Sequence, residues 1–321
     1  MRAPAFWSRP PGLAARALSP LGALYAAATA RRLSRGPRHR IGVPVVCIGN
    51  VTAGGTGKTP TVAEIGRRLS GMGAAAHVVS RGHGGRAEGP LRVDPRTHGA
   101  EAVGDEPLLL AASLPVWVSR DRASGARAAA GAGAEVILLD DGMQDPGLHH
   151  DLTVMVVDAE AGFGNGLCIP AGALREPPGR GLARADAVLA IGPKAARDAL
   201  GIDGAVGARL APLRTGLDWR GARVLAFAGI GRPDKFFATL SALGAEVVRA
   251  VPLGDHQPLT PALMTRLRGE ALARGLLLVC TEKDAVRLPP SFRTEVSVLP
   301  VRLEVEEGGE RLDAALAGLI G

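Results

Sequence analysis

Short apolar runs alternate with alanine-rich amphipathic stretches along most of the chain. Runs of this length are typical of buried strands, and the longer stretches between them have helical periodicity. In the first two thirds of the chain the pattern predicts strands at 43–48, 75–79, 115–118, 135–139, 152–157 and 187–191. It predicts helices at 61–69, 105–112 and 122–131. Alternation of this kind favours a mostly parallel sheet with helices on both faces.

A second alternation follows a stretch at 205–222 that is rich in glycine and proline and is predicted to be a loop. Its strands are expected at 223–228, 246–251, 276–280 and 296–301, and its helices at 235–243, 261–273 and 309–320. We therefore predict an α/β protein with a second, smaller α/β domain. The predicted boundaries are 1–40 for an N-terminal segment, 41–212 for the core domain and 213–321 for the smaller domain.

The N-terminal segment has a character of its own. Leucines recur near helical spacing between Leu13 and Leu24, Trp7 precedes them, and several arginines follow between Arg31 and Arg40. The segment is too weakly apolar to span a bilayer. An amphipathic helix with a basic flank is typical of peptides that lie on an anionic membrane surface. A helix packed on the protein's own core is the alternative, and the pattern leaves both open.

The overall composition adds little about function. The 321 residues carry a net charge of +7, but only four of the 38 basic residues are lysines, and aromatic residues make up 3%. A skew toward arginine also arises from genome composition, so the charge is weak support for an anionic partner. Neither zinc-finger spacing nor interleaved aromatic and basic residues indicates nucleic acid. Three widely spaced cysteines in apolar contexts indicate buried thiols in a reducing compartment, and no cleavable signal sequence is evident.

The strongest single motif is the glycine-rich loop at 49–60, which lies between a predicted strand and a predicted helix. Glycines let backbone N–H groups surround an anion at a helix N-terminus. Lys58 would then reach the β- and γ-phosphates, and the Thr59 hydroxyl would bind Mg²⁺. The Walker pattern expects glycine where Thr52 stands. We still interpret the loop as a nucleoside triphosphate site in a P-loop NTPase-like domain, with phosphate contacts from Thr52, Ala53, Gly54, Gly55, Thr56, Gly57, Lys58 and Thr59.

Two pairs of acids accompany this loop. Asp140 and Asp141 follow the most apolar strand, where a carboxylate that holds Mg²⁺ is expected. The residues alone do not decide which of the two binds the metal. Asp105 and Glu106 stand just before a predicted helix, and taken alone they are better explained by helix capping than by function.

Other polar clusters are compatible with either function or structure. Arg122 follows a strand and could bridge phosphates, although a solvated charge cluster explains it equally. His256 beside Asp255 could act as a base or orient one, and Arg175 with Glu176 could bind substrate or be structural. The run from Thr281 to Asp284 places lysine third, not second as guanine-reading motifs do, so guanine specificity is not supported.

Taken in order, these motifs resemble the tetraacyldisaccharide 4′-kinase family, the lipid A 4′-kinases of Gram-negative bacteria. The resemblance covers most of the chain, and the Thr52 position is part of it. It rests on the loop at 49–60, Ser80-Arg81-Gly82-His83-Gly84-Gly85, Gly104-Asp105-Glu106-Pro107, Leu139-Asp140-Asp141-Gly142-Met143-Gln144, 170–177, 227–231, Asp255-His256 and 281–286.

The resemblance implies ATP- and Mg²⁺-dependent phosphorylation of the 4′-hydroxyl of an acylated glucosamine disaccharide 1-phosphate. It implies a peripheral protein at the cytoplasmic face of the inner membrane, attached through its N-terminal helix. Asp105 is implied as the base, His256 as its partner, and Lys58 as a catalytic cation. Thr59, Asp140 and Asp141 correspond to metal-binding groups, and the substrate contacts carried over are Glu106, Arg122, Gln144, Arg175 and Glu176.

The chain departs from the family pattern at His83, Met143, Asp145, Ala173 and Gln257, which flank the presumed chemical groups. An alternative function is a P-loop NTPase of the switch or metallochaperone type. That alternative explains the loop and the carboxylates, but it does not explain the basic amphipathic N-terminus or the pairing of a carboxylate with a histidine.

Overall fold

A computed structural model of the chain describes residues 4–35, 39–255 and 257–320. Within these residues, nine strands form one sheet and four form a second. The strands are β1 (Val45–Gly49), β2 (Ala76–Ser80), β3 (Leu91–Arg92), β4 (Val116–Val118), β5 (Val136–Asp140), β6 (Leu152–Asp158), β7 (Ala187–Ile191), β8 (Val206–Pro212), β9 (Arg223–Ala228), β10 (Glu246–Pro252), β11 (Leu277–Thr281), β12 (Ser297–Leu299) and β13 (Val301–Glu307). The helices are α1 (Leu13–Arg35), α2 (Lys58–Gly71), α3 (Ala100–Val103), α4 (Asp105–Leu110), α5 (Arg122–Gly131), α6 (Pro178–Leu182), α7 (Lys194–Ala199), α8 (Pro233–Ala242), α9 (Pro261–Arg274), α10 (Glu282–Ala285), α11 (Pro290–Arg293) and α12 (Gly309–Ile320), and a 3₁₀ helix spans Ala5–Ser8.

The larger sheet has the strand order β13-β8-β7-β6-β1-β5-β2-β4-β3. Its inner pairs are parallel, and β3 and β13 pair antiparallel at the two edges. Strands β1, β5 and β6 are buried along their whole length, as expected for a parallel sheet covered on both faces. Their carboxyl ends lie side by side, since Ile48 is in register with Asp140. Ligands of such sheets bind at this edge.

The smaller sheet has the order β10-β9-β11-β12, and all of its pairs are parallel. Alternate residues of β9 face two separate cores, with Leu225 and Phe227 in one and Val224 and Ala226 in the other. Helices therefore cover both faces of this sheet as well. The two sheets confirm the predicted α/β fold with a mostly parallel sheet and a smaller second α/β unit.

Strand β12 lies in the smaller sheet, as predicted for the strand at 296–301, but the helix at 309–320 packs on the larger sheet and does not close the smaller unit as predicted. Strand β13 pairs with β8, which spans part of the stretch predicted to be a loop because of its glycines and prolines. Leu303 of β13 and Leu312 and Leu316 of α12 are buried in the core of the larger sheet. A division of the chain at residue 212 stays a prediction, but residues 301–320 pack on the first unit.

Helix α1 contacts the larger unit along one side. Ala26 is buried among Val51, Met143 and other apolar side chains, and Gly22 lies so close to the backbone of Cys168 that an added Cβ would come within 2.7 Å of its carbonyl oxygen. The opposite side leaves leucines exposed, with Leu13 89% and Leu24 67% accessible. The helix thus packs on the protein and also presents an apolar stripe. Within the described residues, no helix combines the length and apolar character that a membrane span needs.

Candidate functional site

The glycine-rich loop connects β1 to α2 at the centre of the larger sheet. Gly57 precedes the helix with φ of 90°, and Gly54 has φ of 129°, a region that side chains strongly disfavour. A Cβ at Gly57 would also lie 2.5 Å from Cδ1 of Ile191. No side chain of the described chain caps the start of α2, so its first N–H groups are available to an anion.

The Asn50 side chain holds the loop in place, although Asn50 was not predicted from the sequence as a site residue. Its side chain is fully buried, and Nδ2 donates to the hydroxyls of Thr52 (3.1 Å) and Thr56 (2.9 Å). Its Oδ1 accepts a hydrogen bond from Nζ of Lys58 at 3.3 Å. Asn50 therefore fixes both the loop and the cation that follows it. The available signal was a polar residue placed directly after a fully apolar strand.

The proline-bounded segment around Arg175 pairs with the loop. The amide of Ala53 donates to the carbonyl of Ala173 (2.7 Å), and the amide of Arg175 donates to the carbonyl of Val51 (2.7 Å). Thr52 forms the bridge between these bonds with Leu174. A residue with a side chain at position 52 thus pairs in an extended conformation, and the departure from the Walker glycine has a structural role.

Asp140 and Asp141 lie beside the loop at the end of β5. Asp141 is bound by Arg175 (2.9 Å), and Nζ of Lys58 lies 3.8 Å away. Burial raises the pKa of Asp141, but Lys58 and Arg175 lower it more, and the net pKa is below the ordinary value. Asp140 is buried and accepts a hydrogen bond from Ser80 (3.1 Å). Burial, with the Glu106 and Asp141 carboxylates, raises the pKa of Asp140 to about 7.

These two aspartates fit a magnesium ion. Burial and two neighbouring carboxylates raise the pKa of Asp140 more than Lys58 lowers it, and a divalent cation would supply further positive charge there. Mg²⁺ takes one or two carboxylates together with phosphate oxygens and water. Consistent with such a sparse set, the described residues contain no group of three or more His, Cys, Asp and Glu side chains arranged to hold a metal. Thr59, in the first turn of α2, lines the same cleft.

Gln144 and Glu176 join the acidic pair to the loop. The amide nitrogen of Gln144 donates to the carbonyl of Asn50 (2.8 Å) and to Glu176 (3.0 Å), while its oxygen accepts from Arg175 (3.1 Å). Glu176 is almost fully buried and forms a bidentate pair with Arg184, at 2.6 and 2.7 Å. Glu176 therefore has a structural partner, Arg184, that the sequence analysis did not select.

Arg122 supports the turn that follows β5. It is buried and donates to the carbonyl oxygen of Asp141 (2.8 Å) and to the carboxylate of Asp145 (2.7 Å). Its guanidinium thus holds the backbone beneath the acidic pair. Asp145 is one of the departures from the family pattern, and the ion pair with Arg122 gives that departure a definite role.

The acids of the Gly-Asp-Glu-Pro motif begin α4 and meet cations from the smaller unit. Glu106 lines the cleft and pairs with Lys283 at 3.0 Å. Asp105 is only 3% exposed, and Nε of Arg287 lies 3.9 Å from its Oδ2. Burial lowers the pKa of Lys283, but Glu106, Asp105 and Asp255 raise it to a net value above the ordinary one. His256, the predicted partner of Asp105, lies outside the described residues.

The two units enclose a cleft of about 1650 Å³. Gly231 of the smaller unit lies against the phosphate loop, since a Cβ at that position would come within 3.0 Å of the amide nitrogen of Gly55. On another side, Asp158 at the end of β6 binds Arg232 (2.8 Å) and Lys235 (3.0 Å). Burial raises the pKa of Asp158, but these two cations lower it below its ordinary value. The sequence analysis did not select this charge cluster.

The structure therefore brings residues 54–59 of the predicted phosphate loop to one cleft with Asp140, Asp141, Glu106, Arg122, Gln144 and Arg175. Thr52 and Ala53 pair instead with the segment at 173–174. Asp105 precedes Glu106 in the sequence and is buried. Glu176 accepts a hydrogen bond from Gln144. Such a site can hold a nucleoside triphosphate against the loop and neutralise its phosphates, and Glu106 of α4 lines the same cleft. This arrangement is suited to phosphoryl transfer to an acceptor.

Known proteins are similar to this chain in sequence and in fold. A family model described as tetraacyldisaccharide-1-P 4′-kinase (LpxK) matches residues 14–320. The tetraacyldisaccharide 4′-kinase of Dinoroseobacter shibae is 60% identical over 319 residues, which cover 96% of this chain and 94% of that protein. The enzyme of the same name from Jannaschia sp. is 56% identical and covers all of both chains.

A solved structure agrees with these relatives. The crystal structure of LpxK from Aquifex aeolicus in complex with ATP superposes with a TM-score of 0.76 at 25% identity, covering 96% of this chain and 99% of that one. The family and the fold class predicted from the ordered motifs are both confirmed. The chain belongs to the tetraacyldisaccharide 4′-kinase family.

Proposed function

We propose that this chain transfers the γ-phosphate of ATP to the 4′-hydroxyl of an acylated glucosamine disaccharide 1-phosphate, with Mg²⁺ as cofactor. The observation that carries the proposal is the cleft in which Lys58 and the Asp140–Asp141 pair face Glu106 of α4. Relatives that carry the kinase name and the ATP complex of the Aquifex aeolicus protein support the donor and the acceptor. The switch-type NTPase has no such support.

The loop would bind the triphosphate through its backbone. The uncapped N–H groups at the start of α2 and the helix dipole favour negative charge there. Lys58, held by Asn50 and close to Asp141, is positioned to neutralise charge on the transferred group. When bound at Thr59 and the Asp140–Asp141 pair, Mg²⁺ would neutralise the β- and γ-phosphate oxygens.

Asp105 would accept the proton of the sugar hydroxyl, and His256 would orient or tune it. Asp105 begins α4 next to Glu106, whose side chain lines the cleft. Asp105 is almost fully buried beside the smaller unit, with Nε of Arg287 3.9 Å from its Oδ2. Closure of the units around both substrates would then exclude water, which competes as an acceptor.

Substrate access from a membrane surface follows from helix α1. Its exposed leucines lie on the side that faces away from the protein, and Arg32 and Arg35 lie in its last turn. Arg38 of the same basic run lies outside the described residues. An apolar stripe next to basic side chains binds anionic bilayers at the headgroup level. We therefore place the protein at the cytoplasmic face of the inner membrane, as a peripheral protein.

Acidic substitutions on the exposed stripe of α1 test this membrane contact. Leu21→Asp with Leu24→Asp is expected to abolish co-sedimentation with vesicles that contain anionic lipid, since buried apolar area drives such binding. Activity on a detergent-solubilised substrate should persist. Leu272→Asp is the control, because Leu272 on α9 is even more exposed than Leu21 and Leu24 and lies far along the chain from α1. Vesicle binding that survives the double substitution would contradict the proposal.

The reaction itself is tested by following label from [γ-³²P]ATP with acylated disaccharide 1-phosphate in detergent micelles. We expect label on the glycolipid, in a product with one more phosphate, and no transfer when the lipid is omitted. A switch-type NTPase would instead release free phosphate at a rate that does not depend on the lipid. Release of free phosphate alone would therefore overturn the proposed function.

A further inference from the structure

We infer that Arg287 is a positioning residue for the phosphoryl transfer, because it fixes Asp105 and the glycine turn that lies against the phosphate loop. The inference rests on the proposed role of Asp105 as the base. Arg287 follows α10 in the smaller unit. It lies three residues after the run from Thr281 to Asp284, which does not match a guanine-reading motif. The side chain is 11% exposed, so its charge is held by protein groups.

The guanidinium contacts several separate segments. Its Nη1 donates to the carbonyl of Gln257 (3.0 Å), the residue that follows His256 in the chain. Its Nη2 donates to the carbonyl of Gly229 (3.4 Å) and to the carboxylate of Asp284. Its Nε donates to the carbonyl of Lys283 (3.3 Å) and lies 3.9 Å from Oδ2 of Asp105. A planar guanidinium can hold such a set of acceptors, whereas an ammonium cannot.

Asp284 anchors this arrangement from inside the smaller unit. It is fully buried, and its two oxygens accept hydrogen bonds from the amide of Gly229 at 3.0 and 3.2 Å. The Thr281 hydroxyl also donates to Asp284 (2.6 Å) and caps the start of α10. A buried carboxylate requires a partner of opposite charge, and Arg287 is that partner. Asp284, the acid of the Thr281–Asp284 run, therefore has a structural role, and guanine recognition is not needed to explain it.

The turn at Gly229–Gly231 connects Arg287 and Asp284 to the phosphate loop. A Cβ at Gly229 would lie 2.8 Å from Nη2 of Arg287 and 3.0 Å from Oδ1 of Asp284, so the close approach requires glycine. Two residues further on, Gly231 packs against Gly55 of the phosphate loop. Arg287 thus connects the group proposed to accept the proton and the turn that packs against the phosphate loop.

Lys283 provides a second, parallel contact between the units. It pairs with Glu106 at 3.0 Å and lies 3.9 Å from Asp255. Lys283 and Arg287 of the smaller unit therefore both lie near carboxylates at the start of α4. The lysine binds the acid that lines the cleft, and the arginine approaches the buried acid behind it. Loss of Arg287 would leave this contact between the units in place and remove the guanidinium that lies 3.9 Å from Oδ2 of Asp105.

A double-mutant cycle between Arg287 and Asp105 tests the inference. Arg287→Gln should lower kcat for the lipid by about 10²-fold, the size of effect that a misplaced reacting group produces. The KM for ATP should stay close to that of the unchanged protein, because the phosphate loop keeps its own contacts. If Arg287 acts through Asp105, the double variant Arg287→Gln/Asp105→Asn should be no slower than Asp105→Asn alone. Arg287→Lys should recover part of the loss.

Two controls separate positioning from folding. Arg274→Gln removes an exposed arginine on α9 that pairs with Glu270 at 3.6 Å, and it should leave kcat unchanged. Thermal unfolding and ATP binding are measured for each variant, and the Arg287→Lys/Asp105→Asn cycle is used where Arg287→Gln does not fold. Losses that multiply in the double variant, or an Arg287 variant with normal kcat, would overturn the inference. An Asp105→Asn protein with normal kcat would instead overturn the proposed base.

Discussion

Replacing Asp105 with asparagine is expected to lower kcat for phosphorylation of the disaccharide by about 10²–10⁴-fold, the range that loss of a general base produces. A sugar hydroxyl is a weak nucleophile, and its proton must be accepted as the bond to phosphorus forms. Asparagine has almost the same volume as aspartate and cannot accept that proton. Because the side chain is buried beside Arg287, the isosteric change should preserve the packing at the start of α4.

The measurement is steady-state kcat and KM with both substrates varied. The KM for ATP should change little, because the hydrogen bonds that hold the phosphate loop through Asn50 do not involve Asp105. Glu101→Gln is a matched control: it removes a neighbouring carboxylate that is exposed on α3 and pairs with the exposed Arg86. Equal kcat in the Asp105→Asn protein and the control would rule out Asp105 as the base.

The sequence predicted the parts of this protein that depend on local pattern. Strand β7 and helices α5 and α12 begin and end where the periodicity placed them, and the loop at 49–60 lies at the junction of strand and helix as expected. Local rules succeed there because a glycine turn and an apolar strand need few distant partners. Asp140 and Asp141 were found for the same reason, since they follow a run that is apolar throughout.

Features that depend on distant pairing were not predictable in this way. Strand β8 contains Gly207 and ends at Pro212, so its own residues resemble a loop, and its strand character comes from pairing with β7 and β13. The partners of the site residues are also distant along the sequence, since Arg287 lies 182 positions after Asp105. No periodicity relates such pairs. Asn50 was missed for another reason, because its role depends on burial that a single polar residue does not reveal.

Replacing Lys58 with methionine is the second change with a large expected effect. We expect kcat to fall by about 10²–10³-fold, as when a preorganised group that stabilises transition-state charge is removed. Methionine keeps most of the side-chain volume and removes the charge. Lys58 is held by Asn50 and lies 3.8 Å from Asp141, so its Nζ is already fixed before nucleotide binds. That preorganisation makes the charge more effective in the transition state than in the ground state.

The pattern of kinetic constants distinguishes this role from simple binding. A group that acts mainly on the transferred phosphate lowers kcat more than it raises the KM for ATP. Lys194→Met is the matched control, since Lys194 is an exposed lysine at the rim of the same cleft, where it binds Asp198 and Glu307 at 3.2 and 3.1 Å. Because that lysine is engaged with two carboxylates in solvent, its loss should leave both constants near their original values. A Lys58→Met protein with an unchanged kcat and a raised KM would show that Lys58 binds ATP without assisting the transfer, and the catalytic assignment would then pass to the metal and the loop amides.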